Sequence, residues 1–201
     1  MTTEGGATGV SITTPPCALL TLSFLRARGH CRERMTNAIR ILGLDPGLRK
    51  TGWGVVACEG SRISWVAHGV IAPKETLPFA ERLLCLFEGI SELIGAHAPH
   101  EAAVEETFVS TNAMSSLKLG HARAAALIAP ARAGLPVAEY AARLVKKAVV
   151  GTGGADKDQI AFMVQRLLPT AGAPTQDAAD ALAVAITHAH ERRYRKLGSA
   201  A

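Results

Sequence analysis

The chain has 201 residues, 48% hydrophobic, 19% charged and only 4% aromatic. This balance suits one soluble globular domain with a core of Ala, Val, Ile and Leu, and excludes a disordered or low-complexity chain. The formal charge of +5 favours a polyanionic partner, and no apolar run reaches transmembrane length, so no membrane association is expected.

Residues 1–34 differ in character from the rest of the chain. They are rich in Thr, Gly and Ser, with Pro15–Pro16, an apolar patch from Cys17 to Leu25, and then Arg26, Arg28, Arg32 and Arg34. The positive charge comes after the apolar patch, which is the wrong order for a secretory signal. A disordered extension, a targeting segment, and upstream sequence ahead of a natural start at Met35 remain open. The domain is expected over 35–195, with a flexible tail over 196–201. The cysteines, Cys17, Cys31, Cys58 and Cys85, form no CxxC pair. A disulfide framework or zinc site is not expected, and the thiols suit a reducing cytoplasm.

From Ile39 to Leu44 an apolar run ends abruptly in Asp45-Pro46-Gly47, a buried strand followed by a turn. Trp53 to Cys58 and Ile63 to Ile71 read as two more strands around a hairpin turn at Glu59-Gly60-Ser61. Helical spacing runs from Thr76 to Ala96. Ala102 to Glu105 is a short strand. An Ala-rich helix extends from Asn112, its cap, to Ala129, where Pro130 should end or kink it. Leu135 to Tyr140 is a fifth strand and Ala141 to Ala148 a helix. A loop with Gly151, Gly153 and Gly154 precedes two last helices, around Ile160 to Leu168 and Ala178 to His190. This order predicts an α/β domain with a five-stranded mixed sheet flanked by helices, the ribonuclease H-like arrangement.

Charge is concentrated in the second half. From Lys118 to Arg166 eight bases stand against three acids, which fits either a polyanion surface or solvated helix faces. Acidic residues mark strand and helix ends instead. Asp45 closes the first strand, where an active edge or plain turn chemistry would both place it. Glu105 and Glu106 end the fourth strand and point to opposite faces, so only one can join Asp45. Asp177 and Asp180 are three apart at the start of the last helix and share a face amid alanines. Helix-dipole capping accounts for Asp177. It accounts less well for Asp180, because two like charges beside apolar surface call for a cation. Carboxylates from three elements are the donors that hard divalent ions take.

Four segments carry a resemblance. ILGLDPGLRKTGWGV (41–55), AVEETF (103–108), EYAARLVKKAVVG (139–151) and DAADALAVAITH (177–188) resemble, in order, the motifs of the RuvC Holliday-junction resolvases. The likeness spans residues 39–190. It implies a homodimer that nicks four-way DNA junctions with Mg²⁺, two ions per subunit (Mn²⁺ a possible substitute), and works with a branch-migration motor complex. It assigns Asp45, Glu105, Asp177 and Asp180 as metal ligands and favours Glu105 over Glu106. Lys146 and Lys157 match bases that contact or help cleave the scissile phosphate, and Lys147 lies beside them on the basic segment. Phe108 matches an aromatic that unstacks bases at the junction. Two features depart from the family: the N-terminal extension, and Pro130 within a helix the family uses for dimerisation.

Other readings of single features stay open. The Gly151–Gly154 loop can approach a phosphate or merely connect helices. His188 and His190 read as a polar helix end. Met114, Leu117 and Leu119, with Gly120 and Ala122, can face a second subunit or the core. Three further readings compete: an actin-like sugar kinase or ATPase, for which the domain is too short, a DNA-binding module without chemistry, and a related nuclease acting on RNA.

Overall fold

A computed structural model describes residues 38–106 and 112–198. Its elements come in the expected order: β1 (Ile39–Asp45), β2 (Thr51–Glu59), β3 (Arg62–Ile71), α1 (Phe79–His97), β4 (Glu101–Glu106), α2 (Ala113–Arg132), β5 (Val137–Ala141), α3 (Ala142–Val150), α4 (Lys157–Leu167) and α5 (Gln176–Gly198). One five-stranded sheet has the order β3-β2-β1-β4-β5. β1 runs antiparallel to β2 and parallel to β4, and β4 runs parallel to β5. The sheet is therefore mixed, as the three-strand meander followed by βα units requires.

Alternation along the strands builds two cores. Ile41, Val56 and Ala103 face α3, α4 and α5, while Leu42, Leu44, Val55, Ala102 and Val104 face α1 and α2. The most tightly seated helix is α5, in which every residue from Ala181 to His188 is buried, as are Ala178 and Ala179. Its approach depends on absent side chains. A Cβ on Gly43 would run into the Ala181 carbonyl, and one on Gly52 into the Asp177 carbonyl. Helix and sheet can meet backbone to backbone only because glycine leaves that space.

Several boundaries differ from the sequence reading. α1 begins at Phe79, with Pro78 at the N-cap, so 76–78 lie outside it. Pro130 neither ends nor bounds α2, which runs on to Arg132. Its missing N–H costs α2 the bond to the Ala126 carbonyl, yet the helix continues and the Ala133 amide still closes on the Ala129 carbonyl. Asn112 does cap this helix, its side chain accepting from the Ser115 amide at 3.1 Å. α5 continues through Gly198, past the expected tail boundary at 196. His188 is not part of a polar helix end. It is buried, bonded to the Tyr140 hydroxyl through Nδ1 and to Glu101 through Nε2, both at 2.8 Å. The N-terminus of α4 is already satisfied, because Asp156 and Gln159 form a reciprocal capping box. The Gly151–Gly154 loop thus leads to a capped end carrying its own carboxylate, which disfavours a phosphate there.

Candidate active site

Asp45 is the last residue of β1 and shares the face of Ile41 and Gly43, towards α5. The parallel register pairs Leu44 with Val104, so Asp45 and Glu105 are the next neighbours across β1 and β4. Glu105 takes the face of Ala103, while Glu106 is exposed on the opposite side. Strand register alone therefore selects Glu105. On β2, Gly52 pairs with Asp45 and lies against the Asp177 backbone. That contact sets the first turn of α5, and with it Asp177 and Asp180, over the end of β1.

Electrostatics show how closely these acids are grouped. Burial, then repulsion from Glu105, Asp180 and Asp177, pushes the Asp45 carboxyl up to about 8. Burial, then Asp180, pushes Glu105 up to about 7, against the pull of Lys146 and Lys157. Asp180 is also raised, chiefly by burial, although the Lys157 ammonium lies 3.8 Å from its carboxylate. Unlike an ordinary surface carboxylate, each resists ionisation because water is excluded and a like charge is near. Among the described residues, no three His, Cys, Asp or Glu side chains are gathered tightly enough to hold a metal ion.

The donor chemistry nevertheless fits a hard cation. All four groups offer carboxylate oxygen, and among the described residues neither histidine nor thiol is one of the charges acting on them. A divalent ion would offset the repulsion that raises these pKa values, whereas a lysine on one side offsets it only in part. Lys146 and Lys157 both act on the carboxylates. Lys147 is exposed on α3 and is not among the charges that do so. Phe108 lies outside the described residues.

The turn after Asp45 is held from two sides. The buried Thr51 hydroxyl donates to the Gly47 carbonyl at 2.8 Å, and Arg82 of α1 donates through Nη2 to the Leu48 carbonyl at 2.9 Å. A support of this kind keeps a catalytic constellation in register.

Comparison with known proteins agrees with this arrangement. The family described as "Crossover junction endodeoxyribonuclease RuvC" matches residues 41–188. The chain belongs to the RuvC family. A RuvC from Caulobacter sp. (strain K31) is 77% identical over 154 residues, covering 77% of this chain and 91% of that protein. One from Maricaulis maris (strain MCS10) is 64% identical, covering 83% of this chain and all of that protein. Among solved structures, T. thermophilus RuvC in complex with Holliday junction substrate is 34% identical with a TM-score of 0.73, covering 78% of this chain and 96% of that one. A yeast mitochondrial Holliday junction resolvase shares the fold at 13% identity and a TM-score of 0.56.

Within the RuvC motifs, the sequence reading missed the supports. Thr51 and Gly52 stand inside the first motif, but their roles depend on what packs against them. Arg82 carried no signal beyond being a base on a predicted helix. Glu101, Tyr140 and His188 lie far apart in sequence, and only the fold brings them together.

Proposed function

We propose that this RuvC protein is a divalent-metal-dependent endodeoxyribonuclease that resolves four-way DNA junctions by paired symmetric nicks during recombination and repair. The observation that carries this reading is the convergence of Asp45, Glu105, Asp177 and Asp180 from two parallel strands and a helix. Together they form a partly buried acid cluster in which burial, and then mutual repulsion, raises Asp45, Glu105 and Asp180.

In this reading Asp45, Glu105, Asp177 and Asp180 hold Mg²⁺, two ions per subunit, with Mn²⁺ able to substitute. Bound there, the metal would supply Lewis acidity for hydrolysis, in which water bonds to the phosphorus and the P–O3′ bond breaks, leaving a 5′-phosphate and a 3′-hydroxyl. Lys157, at the edge of the cluster beside Asp180, orients the scissile phosphate. Lys146 contributes positive charge from α3, and Lys147 contacts the backbone farther out. Phe108 stacks on an unpaired base. Two symmetric nicks need two sites, which a two-fold homodimer provides. Exposed Met114, Leu117 and Ile128 on α2, at 59%, 57% and 55% exposure, support a dimer face there. Ala122 is core instead, at 1%. A branch-migration motor complex is the expected partner and the cytoplasm the expected location. Among the described residues no helix is long and apolar enough to cross a membrane.

The test uses the full chain, a synthetic four-way junction and Mg²⁺. Wild type should give paired symmetric nicks. Asp180→Asn should bind the junction and leave it uncut. Nicking that survives this change would overturn the assignment of the acid cluster as the reaction site.

A further inference from the structure

Beside the acid cluster lies an open cleft of about 740 Å³, bounded by the turn after β1, the segment after β3 and the first turns of α2. Asp177 lines it, so the cleft opens directly onto the candidate active site. Its other charged residues are Arg49, Lys50, Lys118 and Glu75, and Leu48 and Leu119 are among its apolar lining. Of its acids, Glu75 is already engaged. Glu75 pairs with Arg49 at 3.0 Å, with side chains 62% and 79% exposed. Lys50 and Lys118 come from different elements, are exposed, and have no ion-pair partner among the described residues.

We propose that this cleft seats the phosphodiester backbone of the DNA strand flanking the scissile phosphate, with Lys50 and Lys118 as its phosphate contacts. The inference rests on the nuclease reading above and extends it to a surface outside the acid cluster and the basic segment of α3. A mere gap between elements does not call for unpaired bases from two of them, whereas a polyanion does. The cleft floor is rigid, because Thr51 and Arg82 hold the Gly47–Leu48 backbone, so little ordering cost falls on binding. An apolar floor between charged walls suits the sugar faces of a strand whose phosphates lie at the rim. The Arg49–Glu75 pair is an exposed one of low strength, so Arg49 can exchange its carboxylate for a phosphate.

The experiment measures binding of a fluorescent four-way junction to the full chain without divalent metal, across a salt series. Each phosphate contact adds about 0.9 to the slope of log affinity against log salt. A Lys50→Ala/Lys118→Ala variant should weaken binding and flatten the slope by about 2. Glu75→Gln should tighten binding, because it frees Arg49 and removes a negative charge. Arg62→Ala, at the distant β2–β3 hairpin, should leave the slope unchanged. If the double variant keeps the wild-type slope while wild type binds and, with Mg²⁺, nicks the junction, the cleft proposal falls and the nuclease reading stands. If the Arg62 change flattens the slope as much as the double variant, the cleft is not a distinct site and the proposal also falls. If wild type neither binds nor nicks the junction, the nuclease reading itself has failed.

Discussion

Asp45→Asn should abolish nicking and yet make the metal-free protein more stable. The Asp45 carboxyl stands at about 8 against an ordinary 3.8, through burial first and then repulsion from Glu105, Asp180 and Asp177. A carboxyl held near 8 rather than 3.8, at about 1.4 kcal/mol for each tenfold change in acidity, costs about 6 kcal/mol to ionise in the fold. An asparagine there still gives up about 1–3 kcal/mol of hydrogen bonding to water. Water at the open edge of the site screens part of the remainder, leaving a net gain of about 2–4 kcal/mol at about pH 9. Linkage fixes the sign. A carboxyl with a raised folded-state pKa contributes stability that is fully present below its unfolded value. That stability is lost as pH rises through the folded value. Wild type without metal should therefore weaken between about pH 4 and pH 8, while Asp45→Asn lacks that share of the decline and gains on it progressively. Urea denaturation in EDTA at several pH values measures the difference. Added Mg²⁺ should stabilise wild type by mass action and the variant far less. If the variant is no more stable at the alkaline end, or responds to Mg²⁺ as wild type does, the account of a strained acid cluster is wrong.

Two further perturbations test the framework. Gly52→Ala drives a Cβ into the Asp177 carbonyl. It should cost about 1–3 kcal/mol in thermal denaturation through overpacking and slow junction nicking by about 100-fold, because α5 and its acids shift off the end of β1. Glu101→Gln removes the carboxylate that accepts from Arg192 at 2.6 Å and should cost about 1–3 kcal/mol near neutral pH in urea denaturation. Burial raises that carboxyl, but the hydrogen bonds from Arg192 and His188 prevail and hold it below its ordinary range. Its stabilisation is present above the unfolded value and fades as pH falls through the folded one, so wild type and variant should converge in acid.

Periodicity carried most of the fold. Strands ending at Asp45 and Glu105 were legible because apolar runs stop abruptly there, and the Asp177–Asp180 pair because two acids interrupt an apolar helix face. Long-range closeness was not legible. Nothing in the order of residues says that Gly52 meets Asp177 across a sheet–helix contact, or that Arg82 reaches back to Leu48. The choice of Glu105 over Glu106 needed a resemblance at first. Once β1 and β4 are seen to run parallel, register decides it, because one residue of slip would have turned the other acid inward. Pro130 misled because losing one hydrogen bond need not end a helix: beyond it the Ala133 amide still bonds the Ala129 carbonyl.

β4 shows how environment divides the work of identical side chains. Glu101 and Glu105 lie four residues apart on one strand and point to the same face, against the same helix. Glu101 meets His188 and Arg192 at the far end of α5, and its charge is matched and held low. Glu105 meets Asp180 at the near end, and burial first and then that like charge push its carboxyl up to about 7. The buried run from Ala181 to His188 fixes both ends of α5 on the sheet at once. The matched pair can therefore offset part of what the unmatched acids cost, and the helix that carries Asp180 is held in place against the repulsion it creates. On this account the Tyr140–His188–Glu101–Arg192 network is not incidental to the acid cluster. It anchors α5 at the far end, so that like charges can be kept close together at the other.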